Sequence, residues 1–500
     1  DGILNLPIIF DSLAVRGVGY ISREAGWIDR VGQRKNANGT ETRGGRLALR
    51  WKPDTAWSLD VAGVFQNVNT PDSRYVVQDD VVRRPAGIAE PSDNDFSAVS
   101  ATLDGRLADL RLSITSSYVG HSVDFTQDAS GAADRFGLVG RLRFVDTRRY
   151  SVRNHEARLS SAVQGNWLVG LSYMRATSDA TETLFPTNMP STSYLLEQRI
   201  RQVTEIAGFG DATVTLARHV RATIGARLSH TTDQDDAAEE AGATVSRVGK
   251  VTLSPSFSLS WRPAGKDIVY FRYARAVRPG GLARNATMQS SRFDADELGT
   301  AEIGYRASLL KDTLRFDLGG FYTTWYAIQS DFLLPNGLVS TLNAGNATVL
   351  GSDVSMDWDA STRLRLSAGA SFVNSRLTRT GNGLEVEDRR LPITPDLSGR
   401  ITAQWRFDAG RWSGFVGAQA NYVGHSHLTF DPVTDRTMGN YAVASTNAQL
   451  SRSGWTVSGR LDNLFNIAAD TFAFGNPFLN DRQFTPLRPR TFTLSVARGW

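Results

Sequence analysis

Cysteine is absent from the 500 residues, which excludes disulfides and thiolate chemistry and suits a protein of the cell envelope. No run of about 18 apolar residues occurs, so the sequence excludes a membrane-spanning helix. The motifs of common catalytic and nucleotide sites are also missing, including the Gly-x-Ser-x-Gly elbow and the Gly-Lys-Ser/Thr phosphate loop. We therefore predict no enzyme activity and no cofactor.

Neither sign of charge dominates: 55 Lys and Arg face 51 Asp and Glu, for a net charge of +4. The charges form no basic block, which argues against a nucleic-acid partner. The mean hydropathy of -0.26 is typical of soluble proteins. A transmembrane β-barrel has the same average, because its lumen-facing side chains are polar. The 45 glycines and 10% aromatic residues suit a curved sheet with interfacial aromatic girdles.

Apolar and polar residues alternate with the period of two that is typical of a β-strand. Leu364 and Leu366, for example, alternate with Arg365 and Ser367. Likewise, the apolar face of a later run continues up to Ile328: Leu314, Phe316, Leu318, Tyr322, Tyr326 and Ile328 alternate with Arg315, Asp317, Gly319 and Thr323. About 21 such runs can be counted. Arg and Asp stand in the middle of nearly every polar face, and a soluble core could not hold so many charges. The alternation therefore predicts strands with lipid on one face and a polar lumen on the other.

The connections between the predicted strands are alternately short and long. Short turns such as 53–56 and 361–363 separate long polar segments, which we place at 67–95, 120–147 and 465–489. This pattern predicts tight periplasmic turns and long extracellular loops. We found no helical period, so the predicted fold is all-β: a transmembrane antiparallel barrel in the outer membrane of a Gram-negative bacterium.

The last strand shows the alternation clearly. Phe492, Leu494, Val496 and Trp500 fall on one side, whereas small and polar residues fall on the other. A half-apolar strand that ends on an aromatic residue suggests a strand between lipid and lumen, with Trp500 as an anchor at the periplasmic rim.

Several segments together resemble the barrel of TonB-dependent outer-membrane receptors, over essentially residues 1–500. The most specific is Asp462-Asn-Leu-Phe-Asn466, which precedes the last long loop. The other segments that carry the resemblance are Val269–Gly281, Glu297–Tyr305, Leu314–Tyr322, Ala327–Gln329, Asn343–Gly351 and Leu391–Pro395. Trp500, with Phe492, Leu494 and Val496 before it, resembles the sorting signal that the barrel assembly machinery reads. Arg498 departs from the aromatic or aliphatic residue usual in the family.

The resemblance implies a barrel of 22 strands filled by an N-terminal plug that TonB grips. We recognise no plug in the sequence, and Gly2–Gly26 resembles the second and third strands of the family. We therefore expect residues 1–500 to be one barrel domain that lacks the plug and the first strand. The implied partners are the lipid bilayer with its lipopolysaccharide, the assembly machinery, a plug-bearing N-terminal fragment or separate chain, TonB through that plug, and an unknown nutrient ligand.

The expected strand count also predicts a missing strand. If Trp500 lies at the periplasmic side, an odd number of strands would place Asp1 outside the cell. An unclosed edge would expose unpaired backbone groups to lipid, at several kcal/mol each. We expect an N-terminal piece with a strand that pairs with both Gly2–Phe10 and Arg490–Trp500. Direct pairing of these two segments is the alternative, because odd-stranded barrels exist.

Three sets of residues are candidates for a site. His425 and His427 share a face and could contact a metal, but no third ligand can be identified. Asp294, Asp296 and Glu297 resemble a calcium loop only loosely. We therefore predict no metal site. Six predicted lumen arginines would pair with acidic groups by default, or line a path for an anionic substrate: Arg46, Arg50, Arg221, Arg227, Arg315 and Arg365.

Aromatic residues near predicted strand ends have two interpretations. They could form the girdles at the membrane surface, or stack on a ligand in the vestibule. The residues concerned are Tyr20, Trp27, Trp325, Tyr326, Trp405, Tyr422 and Trp455.

Three functions remain open from the sequence. The leading hypothesis is an outer-membrane transport barrel that binds a scarce nutrient at its surface loops and imports it with TonB-supplied energy. A structural or scaffold barrel subunit of an envelope complex and a passive porin-like channel are the alternatives.

Overall fold

The alternating sequence forms β-strands along almost its whole length in the computed structural model. The structure describes every residue of the chain except 78–81, 86, 163–164, 190, 240–241, 264–265, 286, 288, 382–385, 432–434, 472–474, 480–481 and 500. The strands in these described residues are β1 (Gly2–Ile9), β2 (Leu13–Glu24), β3 (Asp29–Arg30), β4 (Thr40–Trp51), β5 (Trp57–Thr70), β6 (Arg83–Arg84), β7 (Ser92–Leu107), β8 (Leu110–Asp128), β9 (Leu142–Ser161), β10 (Trp167–Pro186), β11 (Tyr194–Ala217), β12 (Val220–Glu239), β13 (Gly242–Trp261), β14 (Ile268–Arg278), β15 (Gly281–Arg284), β16 (Ser290–Phe293), β17 (Asp296–Leu309), β18 (Leu314–Leu333), β19 (Val339–Asp359), β20 (Leu364–Thr380), β21 (Leu397–Ala409), β22 (Trp412–His427), β23 (Thr437–Arg452), β24 (Trp455–Asp462) and β25 (Thr491–Arg498).

Twenty-one of these strands form one sheet, in which each strand pairs antiparallel with the next wall strand in the chain. The sequence-based strand count is confirmed for the described residues. The other four strands form two small sheets, a parallel pair β3–β6 and a hairpin β15–β16. In the part of the chain that the structure describes, no helix is long and apolar enough to cross a bilayer.

The sheet curls until its two ends meet, which makes it a barrel wall. The side chain of Arg488, just before β25, lies 3.0 Å from the carboxylate of Glu24 at the end of β2. Between β1 and β25 the described residues contain no backbone pairing, so these two strands are the edges of a seam. The direct-pairing alternative is therefore not observed.

The two ends of the wall differ as the sequence predicts. One end carries tight turns, such as those between β4 and β5 and between β20 and its neighbour β19; we call it the turn end. The other end carries the long connections and is called the loop end. Strands extend further into the predicted loops than expected, because β8 continues to Asp128 and β9 begins at Leu142. A short 3-10 helix, Ser130–Phe136, lies between them, although the sequence showed no helical period.

The faces of the wall follow the predicted alternation. Directly paired residues share a face, and pairs such as Leu228 with Leu253 expose apolar side chains outward. The inner face is polar and carries cross-strand ion pairs, for example Arg306 with Asp317 at 2.6 Å. This is the arrangement of a barrel in lipid, with a polar lumen.

Candidate functional site

Connections from three distant parts of the wall pack together at the loop end. Their apolar side chains form one buried cluster, which we call the lid: Ala129, Ala132, Ala133, Leu142, Phe144, Leu184, Leu334, Leu338 and Phe478. These residues come from the 3-10 helix region, from the tops of β9 and β10, from the β18–β19 connection and from the β24–β25 connection. The lid therefore joins opposite sides of the mouth.

Phe478 is at the centre of the lid and is fully buried. Its ring centroid lies 4.8 Å from that of Phe144. The neighbouring Asn476 fixes the segment, because its side-chain amide donates to a carboxylate oxygen of Glu90 (2.8 Å) and to the carbonyl of Asp128 (2.7 Å). Across the mouth, a Cβ added at Gly337 would lie 2.8 Å from the carbonyl oxygen of Pro477. The two loops are thus in direct backbone contact.

A cavity of about 850 Å³ lies at this end of the wall, and we call it the vestibule. Its apolar surface includes Phe293, Trp325, Ile328, Leu391 and Phe430. A cavity of this size with aromatic walls and a few polar groups can hold a small-molecule ligand.

The charges at the vestibule are mostly neutralised by partners. Arg201 pairs with Asp233 at 2.5 Å, and its guanidinium lies 6.0 Å from the ring of Phe293. Arg278 pairs with Asp296, which also accepts a hydrogen bond from the indole of Trp325 at 3.2 Å. These pairs orient the vestibule walls and leave little net charge there.

A second cavity of about 440 Å³ shares Phe293 with the vestibule. Two of its cations have no carboxylate within ion-pair distance among the described residues: Lys250 and Arg292. Arg292 donates only to the hydroxyl of Ser246, at 2.9 Å. Asp294 lines the same cavity and also has no ion pair among the described residues, so the unpaired groups there carry a small excess of positive charge that an anionic group could neutralise.

The hairpin β15–β16 lines the smaller cavity and folds inward against the wall strands β12 and β19. Arg284 of the hairpin is buried and lies 3.2 Å from Glu197 and 3.7 Å from Glu182. Ser340 donates to the carbonyl of Arg284 at 2.5 Å, which ties the hairpin to β19. The amide of Leu282 donates to Asp235 at 2.9 Å. Charged groups thus hold an inward-folded loop in place.

Glu182 lies near the loop end of β10, beyond the 9–11 residues or so that a strand needs to cross a bilayer. Burial raises the pKa of Glu182 to about 7, and repulsion from Glu197 and Asp146 adds to the shift. Between pH 4.5, the ordinary pKa of this carboxyl, and about pH 7, Glu182 keeps its proton in the folded protein but loses it in the unfolded chain. The stability of the cluster around Glu182 therefore falls as the pH rises through that window, because the folded protein disfavours the charged carboxylate.

We expect the hairpin β15–β16 to be better protected from hydrogen exchange at pH 6 than at pH 8, after correction for the intrinsic exchange rate. Glu182→Gln should remove most of this pH dependence, because the amide cannot ionise. Hydrogen-exchange mass spectrometry of peptides from Gly281–Phe293 measures the effect. An unchanged pH dependence in the variant would contradict the assignment to Glu182.

Three of the five residues considered as metal ligands, His427, Asp296 and Glu297, are engaged in other contacts. The ring of His427 is buried, with Nδ1 3.1 Å from the carbonyl of Thr429 and Nε2 2.6 Å from the carbonyl of Arg390. Asp296 and Glu297 pair with Arg278 and Arg275. In the described part of the chain, no group of three or more His, Asp or Glu side chains could hold a metal ion.

Four of the six predicted lumen arginines pair with acidic groups, as expected by default. Arg50 pairs with Asp60, Arg227 with Glu205, and both Arg315 and Arg365 with Asp359. Arg46 and Arg221 have no ion pair among the described residues. The default interpretation is therefore confirmed for four of the six.

The outward direction predicted for the apolar side chains of β18 is wrong near the loop end of this strand. The sequence places Ile328 on the apolar outer face of β18, but a bulge between Trp325 and Ile328 shifts the register. Ala327 has a left-handed φ of 51° there. As a result Ile328 is buried in a second apolar cluster with Leu391 and Phe430. Trp325 likewise lines the vestibule instead of a girdle, which was the alternative interpretation.

The predicted assembly strand lies where the sequence places it. Phe492, Leu494 and Val496 are exposed on the outer face of β25, opposite Leu461, Gly459 and Val457. Trp500 lies outside the described residues. Lys250, Arg292 and Phe293 were not predicted, since no motif or spacing distinguishes them from other polar loop and strand residues.

Comparisons with known proteins agree with this architecture. The family model described as TonB dependent receptor-like, beta-barrel matches residues 29–464. The chain is similar to the ferric yersiniabactin uptake receptor FyuA from Yersinia pestis, with a TM-score of 0.84 and 17% identity over 99% of this chain and 77% of that one. It is also similar to the siderophore receptor PiuA from Acinetobacter baumannii, with a TM-score of 0.79 and 15% identity over 99% of this chain and 78% of that one.

A further match is the ferric citrate transporter FecA, with a TM-score of 0.77 and 13% identity over 99% of this chain and 75% of that one. At these identities the structural matches show the fold, and the family model shows the membership. The turn end is accordingly periplasmic and the loop end extracellular. The chain belongs to the TonB-dependent receptor-like β-barrels, a family of nutrient importers in the outer membrane of Gram-negative bacteria.

Proposed function

We propose that this barrel imports an anionic metal chelate, which it captures in the vestibule and the adjoining cavity. The observation that carries the proposal is the vestibule of about 850 Å³ with aromatic walls. Next to it lie Lys250 and Arg292, which have no ion pair among the residues that the structure describes. Apolar walls bury the organic part of a ligand, and the cations select a negative charge. The ferric-chelate names of the similar structures support the same ligand class.

Lys250→Gln with Arg292→Gln is expected to weaken binding of the anionic chelate at least tenfold, because hydrogen bonds to charged groups contribute about 1.5–3 kcal/mol each. The measurement is uptake and binding of radiolabelled iron as citrate, catecholate and hydroxamate chelates in whole cells. Lys52→Gln with Arg218→Gln removes the same charge at the turn end and should change nothing.

Two outcomes would contradict the proposal in different ways. If the cavity variant took up every chelate as well as the unaltered chain did, and uptake still required TonB, the ligand would bind elsewhere. Uptake that survives loss of TonB would reject energised import itself. Because the packed lid joins opposite sides of the mouth, we expect a low conductance in planar bilayers. A passive porin would show a large conductance.

We further propose that residues 1–500 act as one barrel domain, gated by a plug supplied as an N-terminal fragment or separate chain, with a strand that pairs with both β1 and β25. Support comes from the two unpaired edges, whose side chains are exposed along nearly their whole length. An edge in lipid leaves backbone groups without partners. Mass spectrometry of the purified, unboiled protein tests the idea. A lone chain of this sequence in a closed barrel would reject it.

The assembly signal is likewise a proposal. Deletion of Trp500 is expected to lower the yield of folded, heat-modifiable barrel, because an aromatic residue at the rim anchors the final strand. Phe492, Leu494 and Val496 would present the apolar side of that strand to the assembly machinery. Pulse–chase measurement of the folded fraction checks this, and an equal folding rate and yield in the deletion variant would count against it.

A further inference from the structure

The outer face has a regular composition at one height of the wall. In strands all around the barrel, the outward side chain that lies eight residues from the periplasmic end of its strand is apolar or aromatic. This set comprises Phe65, Val99, Tyr118, Leu228, Leu253, Tyr322, Phe372 and Ile401. With tilted strands, eight residues correspond to about 20 Å, which is near the top of an apolar band about 25 Å tall.

Three strands carry an outward arginine at this height instead. Arg43 of β4, paired directly with the exposed Ile21, has an acidic partner in Glu41. The other two arginines are on neighbouring strands. Arg153 of β9 and Arg175 of β10 each lie eight residues from the periplasmic end and are paired directly across the two strands. Their outward direction follows from the same ladder, in which Leu159 pairs with Val169 and Val169 is exposed. Arg153 is also paired directly with the exposed Tyr118 of β8.

In the part of the chain that the structure describes, Arg153 and Arg175 have no carboxylate within ion-pair distance, and Arg175 donates only to the side-chain oxygen of Gln202. Like charges directly opposite each other on a sheet are destabilising. A pair of cations at the edge of the apolar band is therefore costly unless the surroundings supply negative charge.

The layer below the pair shows where the lipid interface lies. His155 and Tyr173 stack with ring centroids 6.1 Å apart, and Ser116 lies 2.9 Å from Nδ1 of His155. Amphipathic rings are enriched near the headgroups, which agrees with a position close to the top of the apolar band. The longer arginine side chains, one step further up, reach the headgroups of the outer leaflet.

From this geometry we propose that Arg153 and Arg175 form a binding site for the phosphate groups of the outer-leaflet glycolipid, lipopolysaccharide. Two adjacent guanidinium forks can bind phosphate oxygens in a bidentate manner, and the phosphates neutralise the repulsion between the cations. Tyr118 and Tyr173 flank the site and would contact the sugar and acyl parts of the same lipid. The site is on the outside of the wall and is independent of ligand import.

The test compares the full chain with Arg153→Gln/Arg175→Gln in detergent, with native mass spectrometry or fluorescence to measure binding of bisphosphorylated lipid A. The double variant is expected to bind about twentyfold more weakly, since each basic residue near an anionic lipid surface contributes on the order of fivefold. Arg16→Gln/Arg46→Gln removes the same charge from the inner face and should bind as the unaltered chain does. Heat modifiability confirms that each variant is folded.

Three further arms identify the ligand. Dephosphorylated lipid A should bind the unaltered chain as weakly as lipid A binds the double variant. Phosphatidylglycerol and inorganic phosphate should bind at least tenfold more weakly than lipid A. Equal binding of dephosphorylated lipid A, of phosphatidylglycerol or of free phosphate would overturn the proposal, as would an equal loss in the inner-face control.

Discussion

Leu318→Arg is expected to destabilise the barrel by about 2–4 kcal/mol, because it places a cation in the apolar band. Leu318 is exposed on the outer face and is paired with Tyr305 and Val354. Urea titration of the folded barrel in lipid vesicles, followed by tryptophan fluorescence, measures the change in the free energy of unfolding.

Gly319→Arg is the matched control, since the next residue points into the lumen. A Cβ at Gly319 would meet only the hydroxyl of Tyr270 at 3.8 Å and a carboxylate oxygen of Glu302 at 3.9 Å. The new guanidinium has room there and an acidic neighbour, so its cost should be small. Equal destabilisation by the two substitutions would mean that the faces of β18 are assigned the wrong way round.

Phe478→Ala is expected to destabilise the lid by about 3–5 kcal/mol, which is the usual cost of removing a buried phenylalanine side chain. The loss is confined to the lid, because Phe478 contacts loop and strand-end residues and no part of the wall within the membrane. The expected result is faster proteolysis and hydrogen exchange in the β24–β25 connection, with an unchanged unfolding midpoint for the wall.

Phe465→Ala in the same connection is the control. Phe465 is 69% exposed and belongs to neither buried cluster, so its removal should leave the lid closed. If both variants, or neither, increased proteolysis, Phe478 would not be the residue that holds the lid together.

The sequence is sufficient to predict the wall, and the reason is physical. Each wall strand obeys a period of two, and a single residue such as Leu318 can be assigned to a face from its immediate neighbours. The periodicity fails where a bulge inserts a residue, as at Ala327, because nothing local shows which strand position is doubled. Ile328 is therefore misplaced by any argument from alternation.

The lid and the cavities could not be predicted in the same way. Phe478 is buried by Phe144 and Leu334, which are both well over a hundred residues away in the chain. No local pattern encodes that contact. Lys250 shows the same limit: it alternates like any other inward residue of β13, and only the inward folding of β15–β16 places it beside Arg292 in one cavity.

The next-neighbour order of the wall has a consequence for how the protein folds. Each strand pairs with the wall strand that follows it, so each hairpin closes only the turn or loop between two neighbouring strands and can be added in sequence. The lid has the opposite character, because Asn476 contacts Glu90 and Phe478 contacts Phe144 only after the strands between them have been brought round the barrel. The mouth is therefore open while the wall is being built, and its closure is expected to be the last event of folding.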